Sequence, residues 1–113
     1  MRFLFSIFII FALASCGGSS SRLPAGVTLA SGPISEACQR SGRSAASRQL
    51  CQCIQGVANQ ELSGPDQRRG ASFFGNPELA QSVRLDDSPS ADAFWARWTD
   101  FASAAEDACS MAL

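Results

Sequence analysis

Cysteines at positions 38, 51, 53 and 109 run through a stretch of chain too poor in large apolar residues to close a core unaided. Past residue 15 the chain holds 19 Leu, Ile, Val, Met, Phe or Trp among 98 residues, against 16 alanines. A domain of that size buries a modest share of its surface and usually recruits covalent cross-links. The same thiols serve as metal ligands or redox pairs where they stay reduced, so the compartment decides how they are read.

The first fifteen residues speak to that compartment. Arg2 precedes a run from Phe3 to Ala14 that is broken only by Ser6. Twelve residues make a helix of about 18 Å, well short of the roughly 30 Å hydrocarbon core. Such a run reads as a signal-peptide h-region rather than a membrane span. It ends in Leu13-Ala14-Ser15-Cys16, which resembles the bacterial lipobox. That resemblance implies that the Cys16 thiol takes diacylglycerol, that cleavage falls just before it, and that the new amine is acylated. Two or three acyl chains anchor durably where one binds only marginally. Lipoproteins of this kind that stay in the inner membrane typically carry Asp after the cysteine. Gly17 stands there in this chain, which implies the outer membrane, periplasmic face. Ala12-Leu13-Ala14 is also an A-x-A site, and cleavage there would release a soluble protein starting at Ser15. Apart from the covalent lipid, no cofactor is expected.

Residues 16–33 follow as a lipid-anchored tether rich in Gly, Ser and Pro, at most about 55 Å long when extended. A compact domain is expected over 34–113. Between Ser44 and Leu62 the positions Leu50, Ile54, Val57 and Glu61 share one helical face, with Ala46, Cys53 and Ala58 on its flanks. Ser63-Gly64-Pro65-Asp66 breaks that helix, and Pro65 suits the first position of the next, which runs to about Phe74. Asn76-Pro77-Glu78 restarts the chain as a short helix with Asn76 as N-cap, ending near Arg84. A final helix is predicted from 91 to about 111 with Ser90 as N-cap. Phe94, Trp98, Phe101, Ala105 and Cys109 recur along it at helical spacing. No segment reads as a strand. The expected fold is all-α, a small disulfide-stapled bundle of three to four helices.

With Cys16 assigned to lipid, the four remaining cysteines allow three connectivities. Cys51–Cys53 is disfavoured, because residues i and i+2 lie about 200° apart around a helix. Cys53 flanks the apolar face of its helix and Cys109 sits on the aromatic stripe of the last. Those placements favour Cys53–Cys109 through the core, with Cys51 tied back to Cys38. A redox reading would want Cys-x-x-Cys at a helix N-terminus, and Cys-x-Cys here falls in mid-helix. A zinc or copper(I) site would want paired Cys-x-x-Cys knuckles, which are absent from the sequence. No metal is expected.

Eight arginines face ten acidic residues past residue 15, and the chain has no Lys, His or Tyr there. No basic excess marks a nucleic-acid surface, and no histidine is present for a His-based triad or metal site. Neither G-x-S-x-G nor S-x-x-K occurs, so the chain is read as no enzyme, although carboxylate pairs are not judged by spacing alone. Arg40, Arg43 and Arg48, and the pair Arg68-Arg69, could fork onto a carboxylate or phosphate. More often such residues form a solvated face. Phe73, Phe74 and Trp95 cannot all be buried by one stripe. Arg68, Arg69, Trp95 and Arg97 are therefore taken as the candidate interaction surface.

Beyond the lipobox, several segments combine in a second resemblance. They are Ser35-Glu36-Ala37-Cys38, Ala46-Ser47-Arg48-Gln49-Leu50-Cys51-Gln52-Cys53-Ile54-Gln55, Asp66-Gln67-Arg68-Arg69 and Phe73-Phe74 before Asn76-Pro77. With Ala80-Gln81, Phe94-Trp95 and Cys109, the chain resembles a group of small exported proteins of marine alphaproteobacteria often labelled "arginine transporter". The label fails a physical test, because crossing lipid takes several spanning segments or a closed barrel. What the residues support is a cell-envelope lipoprotein acting as an interaction or assembly-support module. Its expected partners are the membrane, through the anchor, and another envelope protein. The alternative is a periplasmic accessory that binds arginine or another small solute for a transporter. That role needs a concave site with converging carboxylates, drawn from Glu61, Asp66 and Glu78.

Overall fold

The computed structural model describes residues 26–110, so the expected leader, Cys16 and most of the expected tether lie outside the described residues. Within them the chain forms five helices and no strand: α1 (Pro33–Arg40), α2 (Arg48–Glu61), α3 (Gly64–Gly75), α4 (Pro77–Leu85) and α5 (Pro89–Cys109).

Local chemistry sets the boundaries, and at the starts of α2 and α5 it moves them from the sequence expectation. Ser47 caps α2 by accepting from the Leu50 N–H at 3.1 Å, so 44–46 stay outside the helix. Ser88, rather than Ser90, caps α5 and accepts from the Ala91 N–H at 3.3 Å. Pro89 then sits at N1, where its missing N–H costs nothing. Asn76 precedes α4 without making a side-chain cap bond. The Ser88 N–H also donates to Asp86 Oδ1 at 2.8 Å. That bond, with a second from the Ser88 side chain, holds the Asp86 carboxyl below its usual pKa. A lowered folded-state pKa means this support is present above the ordinary aspartate range and is lost as pH falls through the folded value.

The helix beyond the expected three to four is α1, at the start of the domain, where the sequence pattern assigned no element before Ser44. Its first turn is held from outside. Gln55 Oε1, buried on α2, accepts from the Ile34 and Ser35 N–H groups at 2.8 and 3.0 Å. Two of the donors orphaned at a helix N-terminus are thereby satisfied. The Gln55 amide donates in turn to Asn59 Oδ1 at 2.9 Å and to Gln67 Oε1 at 2.7 Å. Gln67 Nε2 reaches the Leu62 carbonyl at 3.3 Å, closing the network onto the α2–α3 corner. Buried amides are tolerated only when paired this fully.

The helical body also takes in chain ahead of Ile34. The Ala30 N–H donates to the Gln52 carbonyl at 3.1 Å, and the Gln60 amide donates to the Gly26 carbonyl. The backbone at Thr28 presses on Gly56, where a Cβ would collide with the Thr28 carbonyl.

α2 lies between α1 and α5, α3 crosses α1 and α5, and α4 rests on α3 and α5 without a buried residue of its own. The main core is Ile34, Cys53, Val57, Ala58, Leu62, Phe101, Ala105 and Cys109. Both disulfides start on α2. Cys51 bonds Cys38 on α1 and Cys53 bonds Cys109 on α5, with Cα separations of 5.6 and 5.8 Å. Alternate residues of one helix point to opposite sides, so α2 is pinned on both. By chain entropy, closing loops of 13 and 56 residues contributes about 3 and about 4 kcal/mol respectively.

Candidate functional site

The aromatic residues of α3 and α5 form one cluster. Phe73 meets Phe94 and Trp98 edge-on, with ring centroids 6.0 and 5.3 Å apart, and Trp98 meets Phe101 at 5.1 Å. Phe73, Phe94 and Phe101 are buried, while Phe74, Trp95 and Trp98 are half-buried. What lets Trp98 lie so close to α3 is Gly70, since a Cβ there would fall inside the indole ring.

That close approach tests itself. Gly→Ala in a helix ordinarily gains about 1 kcal/mol. Gly70→Ala should instead destabilise by about 1–3 kcal/mol, the range for overpacking, and shift Trp98 emission. A rise in melting temperature would show that the indole moves aside freely.

Beside the cluster lies a groove of about 420 Å³. Leu50 and Ile54 of α2 form one wall, Phe74 of α3 and Trp98 of α5 another, with Phe101, Ala105 and Cys109 beneath. Cys53–Cys109 fixes the spacing of the two long helices that flank it. The volume falls within the range of small-molecule sites, and the lining is almost wholly apolar. Glu106 is its one ionisable lining residue. Leu50 and Ile54 were placed on the apolar face of their helix by spacing. Their role as a groove wall was not visible there, because it depends on how far α5 stands away.

The candidate surface residues do not gather at this groove. Arg97 on α5 grips Asp66 on α3, its Nε–H donating to Oδ2 at 2.7 Å and its Nη2–H to Oδ1 at 3.2 Å. The bond raises the Arg97 pKa above its ordinary value. The Arg69 guanidinium lies 4.4 Å from the Phe94 ring centroid, a cation–π placement. Two of the four are therefore engaged in joining α3 to α5, while Arg68 is exposed and Trp95 half-buried. The carboxylates considered for a guanidinium ligand do not converge. Asp66 is taken by Arg97, and Glu61 and Glu78 are exposed at the end of α2 and the start of α4.

Among the described residues no group of three or more His, Cys, Asp or Glu is placed to hold a metal. No helix among them is long and apolar enough to cross a membrane. No protein family, curated protein or solved structure matches this chain.

Proposed function

We propose that this chain is a non-enzymatic interaction module of the bacterial cell envelope, exported by its leader and anchored through lipid on Cys16. It works at the periplasmic face of the outer membrane, where its apolar groove is the recognition surface. One observation carries the reading: both cross-links of a domain with a thin core depend on thiols staying oxidised. Disulfides persist in secreted and periplasmic proteins and are reduced in the cytosol. The leader and the lipobox resemblance point to the same compartment. The groove supports recognition rather than catalysis, since it brings no acid–base pair or nucleophile together.

The test is the intact mass of the protein from its native host's membranes, with and without reduction and alkylation. The expected mass includes acylation at Cys16, and four further thiols become alkylated only after reduction. A mass beginning at Ser15 without lipid, or free thiols before reduction, would overturn the proposal.

A further inference from the structure

Beside the groove, the chain around the α1–α2 connection carries cations and no anions. From Ala37 through Gln60 the chain has Arg40, Arg43 and Arg48 but neither Asp nor Glu. All three arginines are exposed, and the one ion pair among the described residues is Arg97–Asp66, elsewhere on the surface. Arg43 lines two smaller depressions, of about 190 and 290 Å³, that adjoin the groove. Phe74 is common to all three; Leu50 and Ile54 join the first depression to the groove, and Trp98 joins the second. The three depressions share walls and make one apolar track, with Arg43 lining the two smaller ones and Glu106 lining the groove.

We propose that this track binds a single-tailed anionic amphiphile of the free fatty-acid type. The carboxylate sits on Arg43, and the tail lies over Phe74, Leu50 and Ile54 into the groove. Charge complementarity sets the head group, because the Arg43 guanidinium forks onto a carboxylate while Glu106, which lines the groove, disfavours an anion there. Shape selects the occupant. A concave track is filled by a convex tail, whereas a second copy of the same face would leave a gap without contact atoms. The proposal rests on the groove being the recognition surface, and it is independent of the anchor.

The test uses the full chain carrying Cys16→Ser, exported to an oxidising compartment so that the disulfides close and no acyl group is attached. Palmitate is titrated and followed by tryptophan emission and calorimetry. Saturable one-to-one binding is expected below the concentration at which palmitate aggregates. Affinity should rise about fourfold per methylene along a series of shorter acids until the track is full. Hexadecanol and hexadecyltrimethylammonium, which share the tail, should bind about tenfold more weakly or worse. Arg43→Gln should cost palmitate about tenfold and leave hexadecanol unchanged. Ala102→Phe, at an exposed position of α5 lining the groove, should block both.

Equal binding of all three heads would overturn the proposal. So would absence of saturable palmitate binding by protein whose helicity and closed disulfides show it folded. Concentration-dependent dimerisation abolished by Ala102→Phe would assign the track to a second copy instead. Failed binding beside an acylated native mass would refute this inference and leave the envelope anchor standing. The opposite pair of results would do the reverse.

Discussion

Replacing Cys53 and Cys109 together by alanine should cost about 4 kcal/mol of stability, the chain-entropy value for their loop. A domain of this size is usually stable by about 4–13 kcal/mol in all, so the loss takes between about a third and all of it. Both residues are buried in the main core, and the cavities left by two sulfurs add to the loss. Urea unfolding followed by circular dichroism measures it. The matched control replaces Cys38 and Cys51, whose loop is 13 residues instead of 56, and should cost about 3 kcal/mol. If that second variant proves the less stable of the two, loop closure is not what the cross-links chiefly supply.

Gln55→Leu should be nearly as damaging, for an unrelated reason. The substitution leaves the Ile34 and Ser35 N–H groups and Gln67 Oε1 without the partner they have in the native fold. A buried orphan costs about 1–3 kcal/mol, so a loss of about 3 kcal/mol or more is expected. The damage should be local. Hydrogen exchange at Ile34 and Ser35 should accelerate most, while amides of α5 near Cys109 keep more of their protection. Gln55→Glu keeps an acceptor for the first turn of α1, where negative charge is favoured, and should preserve protection there better. Uniform loss across the domain in Gln55→Leu would mean that the network does not act as the clamp on α1.

These two sites differ in how visible they were before the fold. Phe94, Trp98, Phe101, Ala105 and Cys109 repeat at helical spacing, so the long helix and its buried stripe could be read directly, and Cys109 with them. Cys53 flanks the apolar face of its own helix, which made its partner readable too. Gln55 carries no such signal: a buried amide has no periodicity, and its partners lie at positions 34, 35, 59 and 67. α1 was hidden for a related reason. Eight residues span barely two turns, too few for a pattern, and its anchoring acceptor comes from another helix. Ser88 was the better N-cap on rules already in hand, because Pro89 belongs at N1. The groove depends on distances between α2, α3 and α5, which no single segment encodes. Arg43 could be named only as a member of a basic set, until the fold put it beside Phe74.

The placement of both cross-links on α2 bears on the order in which they form. With Cys16 taken up by the proposed acylation, a chain that meets oxidant N-terminus first presents Cys38, then Cys51, then Cys53, and Cys109 only near its end. Pairing consecutive thiols as they emerge gives Cys38–Cys51 at once, which is a native bond. Cys53, turned to the other side of its helix, has then no thiol left to pair with until α5 arrives. Oxidation in order of emergence therefore ends at the native pairing without a step in which a wrong bond must be broken.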